Sequence, residues 1–398
     1  MNEGGDVPLI RLAALFSHPI QYFAPLFRAL AAHPDIDLTV YFCSRMGVEE
    51  TLDPGFRRVF RWDIPLLEGY NHKFLPNLRR SQQVRGFFSL CNPTIAKELS
   101  RKRYDALWIH GYAHATHWLA FVSAKITKIP ILLRGESHLV TPRPFYIRLA
   151  KAAILRPLLR TVSACLYIGT HNRMFYEYYG VSRERLFFAP YTVDNSYFRQ
   201  WAKRLAPYRD EIRARWGIHD KRPVILYVGK LVPWKQPLAL LEAYRLVRQQ
   251  YPCALLYAGD GALRTVIEEK VHEANIPDVV ITGFLNQSEI SQAYTVADIL
   301  VLYSSHEPWG LVVNEGMNFE LPVIVSNRVG CAPDLVRHGE NGYIVPYDNV
   351  EALAEALLSL VRDPQQRIEM GRRSLNLIEN WDIPQTVEGI ITAAKSVC

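Results

Sequence analysis

The chain reads as an α/β protein made of two doubly wound, Rossmann-like domains. Its 398 residues are too many for one ordinary core and comfortable for two. Near the start, an apolar run from Ile10 to Phe16, a helical pattern from Pro25 to Leu30 and a second run from Ile36 to Phe42 have the spacing of a βαβ unit. From Val224 to Ser326, strand and helix patterns alternate regularly, as a second doubly wound sheet requires. Hydrophobic residues make up 49% of the chain, which fits a globular protein and excludes a disordered one.

In the first half, the run from Ile10 to Phe16 is apolar apart from Arg11 and predicts a buried parallel strand. Ser17-His18-Pro19-Ile20-Gln21-Tyr22-Phe23 follows it, and His18 either caps the first helix or faces a ligand. Residues 44–90 mix Pro, Gly, Arg and aromatics and predict long loops with one strand near Lys73–Leu75. A strand from Asp105 to Ile109 ends in His110-Gly111-Tyr112. In open α/β sheets ligands bind beyond the carboxyl ends of strands, which favours a role for His110, although a lone histidine is more often structural. A strand from Ile129 to Leu133 ends in Arg134-Gly135-Glu136-Ser137. Arg134 there either binds a phosphate or carboxylate, or pairs with Glu136.

The stretch from Pro142 to Arg160 sets Arg143, Arg148, Lys151, Arg156 and Arg160 among apolar residues, with no acid. It predicts a basic amphipathic helix, kinked or broken at Pro157. Its apolar face is explained by packing on the sheet; its cations fit an anionic membrane surface. Strands are predicted from Cys165 to Gly169 and from Phe187 to Pro190, then a charged hinge over residues 199–222.

In the second half, strands are predicted at Val224–Val228, Ala254–Tyr257, Val279–Thr282, Ile299–Tyr303 and Pro322–Ser326, with helices between them and a mostly helical end from Val350 to Cys398. Gly229, Lys230 and Lys235 follow the first of these strands, placing two ammonium groups beyond a strand end. After Tyr303, Ser304 to Gly310 reads as a loop, and a helix resumes at Leu311. A helix N-terminus offers N–H groups to a phosphate, so Trp309, Gly310, Leu311 and Val312 are candidate donors. Glu307 lies in this loop and Glu315 about one turn into the helix. Glu315 sits among Leu311, Val312, Val313, Gly316 and Met317, where a carboxylate is costly unless something donates to it. Ribose hydroxyls are one such donor; the alternative is an ordinary solvated helix face.

Net charge is +7 and unevenly spread. Residues 1–198 hold 25 Lys and Arg against 15 Asp and Glu; residues 199–398 hold 21 against 24. The basic first half points to an anionic partner: a membrane face, a phosphorylated acceptor or nucleic acid. The six cysteines have no C-x-x-C spacing, which argues against zinc and a disulfide framework and suits a reducing compartment. No apolar stretch approaches the roughly 18–20 residues of a spanning helix. The acidic start of the chain is not expected to be a signal peptide. Gly259-x-Gly261 lacks the third glycine of a dinucleotide fingerprint, so no NAD is expected.

Three segments carry a resemblance. The two glutamates eight positions apart, Glu307 and Glu315, resemble the signature of retaining glycosyltransferases of family 4, which have the GT-B fold. Tyr227-Val228-Gly229-Lys230-Leu231-Val232-Pro233-Trp234-Lys235 resembles that family's strand-Gly-basic-loop-Lys motif, and Ala258-Gly259-Asp260-Gly261-Ala262-Leu263-Arg264 its second Gly-Asp-Gly turn. The His18-Pro19-Ile20-Gln21-Tyr22 run is similar to one in members that act in bacterial polysaccharide assembly. The resemblance implies two Rossmann-like domains facing across a cleft: residues 1–198 for the acceptor, 199–375 for the nucleotide-sugar, and 376–398 as a helix crossing back. It implies transfer of a sugar with retention, without a cofactor or an obligatory metal, to a glycan or lipid-linked acceptor. Lys235, Glu307 and His110 would be catalytic. Lys230, Glu315, Gly229 and residues Trp309 to Val312 would hold the donor, with His18 and Arg134 on the acceptor side. Where the family usually has arginine, this chain has Lys230, which keeps the charge and loses the bidentate fork. Nucleic acid is then not an expected partner. The implied setting is cytoplasmic, at the inner face of the cell membrane if residues 143–160 dock there. Two other readings are a GT-B-fold nucleotide-sugar 2-epimerase and a non-catalytic nucleotide-sugar-binding protein.

Overall fold

The structure is a computed structural model that describes residues 9–398 apart from 54, 57 and 80–83. Residues 1–8, which carry the expectation about a signal peptide, lie outside the described residues. The chain divides into two compact units. The first holds Met1–Thr51, Phe60–Pro190 and Ile383–Cys398; the second holds Leu52–Val59 and Tyr191–Asp382.

In chain order the strands are β1 (Ile10–Phe16), β2 (Ile36–Phe42), β3 (Thr51–Asp53), β4 (Arg58–Phe60), β5 (Asn71–Phe74), β6 (Ala106–His110), β7 (Ile131–Arg134), β8 (Ala164–Tyr167) and β9 (Leu186–Phe188). They continue as β10 (Val224–Val228), β11 (Ala254–Ala258), β12 (Val279–Gly283), β13 (Ile299–Leu302), β14 (Val323–Ser326) and β15 (Gly342–Val345). The first unit carries one parallel sheet in the order β5-β2-β1-β6-β7-β8-β9, the second a parallel sheet in the order β12-β11-β10-β13-β14-β15. Their central strands are continuous apolar runs because helices cover both faces. Burial is complete along β10, β11, β13 and β14. One core gathers Leu15, Tyr41, Leu107, Ile109, Leu133 and Phe175; the other gathers Ile225, Tyr227, Leu255, Ile299, Val301 and Leu357.

Three expectations need correction. Residues 199–222 are not a free hinge: the helices Asn195–Leu205 and Arg209–Arg215 occupy much of it. Arg209 and Arg213 bond Asp298 at 2.9 and 3.5 Å and also reach the carbonyl of Val296, so this segment is docked on the second sheet. The boundary at 198 would fall inside the first of these helices, and the units divide after Pro190 instead. The basic helix runs unbroken from Phe145 to Thr161 with Pro157 inside it. The prolyl ring removes one N–H from the last turns, and burial of Leu155, Leu158 and Leu159 holds the helix across that gap. Residues 44–90 contain β5 near the expected place and add the short pair β3–β4. The closing helix, Ile383–Val397, belongs to the first unit, while the helix before it, Pro364–Ile378, belongs to the second. Among the described residues no helix is long and apolar enough to cross a membrane.

Candidate functional site

In the second sheet β10 lies between β11 and β13, so the winding direction reverses between β10 and β13. Ligands of such sheets bind outside the carboxyl ends of the strands at this switch point. The chain leaving β10 carries Gly229 and Lys230, then a 3₁₀ turn, Pro233–Lys235. The chain leaving β13 carries the loop to Gly310. The fold therefore brings together two loops that are some seventy residues apart in sequence. Ser305 fastens one to the other, its N–H and its hydroxyl both donating to the Trp234 carbonyl at 2.8 and 3.1 Å.

Within this arrangement Lys235 donates to Glu307 in a close, largely buried ion pair. Lys230 stands apart from that pair. Its turn is fixed by the Tyr227 hydroxyl, which donates to the Lys230 carbonyl at 2.7 Å. Its ammonium lies 3.0 and 2.9 Å from the two oxygens of Asp53 and 4.8 Å from the centre of the Phe56 ring. The N–H groups of Gly55 and Phe56 donate to the same carboxylate at 2.7 and 3.1 Å. Sequence reasoning missed Asp53, because nothing in a lone aspartate at the end of a short strand marks a partner so far along the chain.

The loop after β13 is shaped by side chains that crowd its last glycine. Gly310 has φ +103°, and a Cβ there would come 2.5 Å from Leu302. The helix that follows, Leu311–Met317, has seven residues and no side-chain cap. The Trp309 indole is buried, donates to Asn314 at 3.0 Å and packs 5.5 Å from Trp381. Trp309 thus presents no side chain to a ligand, only backbone. Asn314 donates in turn to the Tyr191 carbonyl at 3.1 Å, and Asn318 to Asn195 at 2.8 Å. Glu315 is 2% exposed and accepts a short hydrogen bond from the Tyr294 hydroxyl. It does not lie on a solvated helix face. A tyrosine on the preceding helix supplies a donor for the carboxylate, which the sequence spacing did not reveal.

In the first sheet β1 lies between β2 and β6, so its switch point is at the ends of β1 and β6. His18 follows β1 and His110 ends β6, which places both at that point. The His110 ring stacks on Phe16 at 4.8 Å, meets Phe23 edge-on, and holds Nε2 3.6 Å from the Glu136 carboxylate. Burial pushes its pKa below the ordinary histidine value, with Glu136 pulling partly the other way, so near neutral pH the ring is uncharged. The Ser17 hydroxyl lies 2.9 Å from His18 Nδ1. No side chain caps the helix Phe23–Ala31, whose N-cap is Tyr22, so His18 does not cap it. Arg134 has partners that the sequence did not indicate. Its side chain is buried and donates to the carbonyls of Ala189 and Pro190 at 3.3 and 2.9 Å, clamping the chain after β9.

These two sheets with their switch-point loops define a GT-B-type α/β protein. Residues 208–376 match the family described as glycosyl transferases group 1. It is 32% identical over 171 residues to an alpha-D-kanosaminyltransferase of Streptomyces kanamyceticus, covering 42% of this chain and 44% of that protein. It is 28% identical to the sulfoquinovosyl transferase SQD2 of Arabidopsis thaliana, covering 73% of this chain and 56% of that one. The chain thus spans about half the length of these curated relatives. Its fold matches Anabaena Alr3699/HepE, solved with UDP and glucose, at a TM-score of 0.73 and 17% identity over 97% of this chain and 100% of the other.

Proposed function

We propose that the chain is a retaining glycosyltransferase that moves a sugar from a nucleotide-sugar to a hydroxyl of a glycan or lipid-linked acceptor in cell-surface polysaccharide assembly. The observation that carries this reading is the Lys235–Glu307 pair, with Lys230 on the same loop, at the switch point of the second sheet. A departing nucleoside diphosphate builds up negative charge, and two ammonium groups fixed after a strand end oppose it without reorganising. Glu307, next to Lys235, is placed to accept from donor-sugar hydroxyls. Glu315 is assigned to the ribose, and the N–H groups of Gly310, Leu311 and Val312 to the phosphates, with Gly229 leaving room beside Lys230. His110 serves as a neutral imidazole, and His18 remains the acceptor-side candidate. Retention follows from the family resemblance: the acceptor hydroxyl attacks on the face from which the phosphate leaves, and the phosphate takes its proton. Neither an obligatory metal nor a cofactor is part of this reading. Docking of the cationic helix Phe145–Thr161 on an anionic membrane completes it, with the protein on the cytoplasmic side.

The solved complexes of Alr3699/HepE contain UDP, UDP and glucose, or UDP-glucose, which makes UDP-sugars the first donors to try. The test incubates the protein with UDP-, GDP- and ADP-sugars and a panel of glycan and lipid-linked acceptors, with and without chelator. A glycoside product with the donor's anomeric configuration, formed equally with chelator present, supports the proposal. An inverted product removes retention, an epimerised free donor points to the 2-epimerase, and nucleotide binding without turnover points to a binding protein.

A further inference from the structure

The first unit also has a cavity lined in part by the chain that follows β7. It measures about 300 Å³ and lies beside the first turns of the helix Phe145–Thr161. Arg143, Arg148 and Lys151 line it, together with His138, Tyr178 and Tyr179. Among the described residues no carboxylate pairs with Arg143, Arg148 or Lys151, and the helix itself contains neither Asp nor Glu. Arg148 donates to the Tyr178 hydroxyl at 2.9 Å, and the Lys151 ammonium lies 4.8 Å from the centre of the Phe175 ring. Arg148 and Lys151 thus meet aromatic partners, which leave their charge uncompensated. Burial, and then the neighbouring Arg143, lower the Lys151 pKa to about 8. A half-buried ammonium beside a guanidinium, with no counter-ion, is a site that an anion would complete.

A group with several charged oxygens suits this lining. Arginine forks match pairs of phosphate oxygens, lysine adds a point charge, and tyrosine hydroxyls donate. The surroundings indicate where such a group comes from. On the same helix turns Phe145, Tyr146 and Leu149 are 75%, 70% and 60% exposed, an arrangement that water disfavours and a bilayer interface buries. We propose that this cavity seats the phosphate headgroup of an anionic lipid while Phe145, Tyr146 and Leu149 enter the bilayer beside it. The proposal deepens the membrane part of the reading above and is independent of the donor-side assignments. It replaces diffuse attraction to five cations with a defined headgroup site.

The experiment is co-sedimentation of the full chain with vesicles of phosphatidylcholine alone and of phosphatidylcholine mixed with phosphatidylglycerol. Wild-type protein is expected on the mixed vesicles only. Lys151→Gln and Arg143→Gln should each weaken that binding by about tenfold or more, the scale of a lost charge-assisted hydrogen bond. Arg156→Gln removes the same charge from an exposed position of the same helix outside the cavity and should cost about fivefold at most, as for one diffuse contact with an anionic surface. Lys151→Arg keeps the charge and should keep the binding. The affinity of Lys151→Gln for UDP should equal that of wild type; loss of UDP binding by the wild type would count against the donor reading and leave this one standing. Equal losses from Lys151→Gln and Arg156→Gln would reduce the cavity to general electrostatics and overturn the proposal. So would wild-type protein that stays off mixed vesicles, or one that binds soluble pyrophosphate by calorimetry yet ignores the lipid.

Discussion

At the residue scale, Lys235 and Glu307 neutralise one another in a partly buried pair, so neither is simply a free charge awaiting a ligand. On the proposed reading, a diphosphate arriving beside Lys235 would share its ammonium with Glu307, and donor-sugar hydroxyls would give Glu307 other partners. Lys235→Ala should therefore lower turnover by about a hundredfold, the scale of losing one preorganised charge-stabilising group. Single-turnover rates measure it, and a near-normal rate would remove Lys235 from the chemistry. Lys230→Arg, which restores the commoner family residue, should be tolerated in the same assay. Glu315 needs a two-part test, because its Tyr294 partner gives it a structural role too. Glu315→Ala should weaken UDP binding by about 1.5–3 kcal/mol, the range for a lost hydrogen bond to a charged group. Tyr294→Phe removes the internal donor alone and should leave UDP affinity near wild type. Calorimetric affinities that fall equally in both variants would make Glu315 a packing residue.

At the scale of elements, the positions of strands along the chain were legible from alternating apolar runs, whereas the switch points that gather Lys230, Lys235 and Glu307 in one sheet and His18 and His110 in the other follow from the sheet order. Charge partners supplied from remote elements were not legible. Asp53 approaches Lys230 across 177 positions and Tyr294 reaches Glu315 from the preceding helix, and neither pairing has a periodicity to announce it. That the helix does not break at Pro157 was not legible for a related reason, since local propensity does not register how firmly Leu155, Leu158 and Leu159 are buried. The Asp53 pair has a direct consequence. Its carboxylate holds the Lys230 ammonium where a phosphate would seek it, so Asp53→Asn should tighten UDP binding by roughly 1 kcal/mol, the upper size of a partly exposed pair. Weaker binding by titration calorimetry would instead make Asp53 a support that positions Lys230.

The segment from His110 to His117 makes a pH prediction at the same scale. His117 is buried and its pKa is lowered to about 3 by burial, then by His114 and His110; burial lowers those two as well. An unfolded chain with ordinary histidines binds protons that the folded chain refuses, so stability rises with pH through this window. It is fully present above about 6.5 and drains away as the pH falls toward the folded values. Melting temperature should drop from pH 7 to pH 5, by about 1.4 kcal/mol of stability per pH unit for each buried histidine that titrates. His117→Phe should flatten that slope. A slope unchanged by the substitution would assign the acid sensitivity to other groups.

At the scale of the whole molecule, the final helix sets a covalent condition on folding: the first unit cannot close until the last residues are available, because Ile383–Cys398 belongs to it. Its attachment is close as well as charged. Lys395 donates to Asp35 at 2.6 Å, and the Thr386 hydroxyl donates to the Pro190 carbonyl at 2.9 Å. The tightest approach is at Gly389, where an added Cβ would lie 1.9 Å from the Phe188 carbonyl oxygen. That oxygen is backbone at the end of β9, so it cannot swing aside as a flexible side chain would, and the helix must move out instead. Moving it uncovers Ile390, Ile391 and Ala394, which are buried on the same helix. Gly389→Ala exchanges a poor helix former for the best one, a change worth up to about 1 kcal/mol in favour of folding at an unhindered site. The steric displacement opposes it and should win, at about 1–3 kcal/mol for overpacking. The expected result is a lower melting temperature with UDP affinity unchanged, since the donor-side residues all lie in the other unit. A melting temperature at or above wild type would mean that the helix does not lie this close to β9.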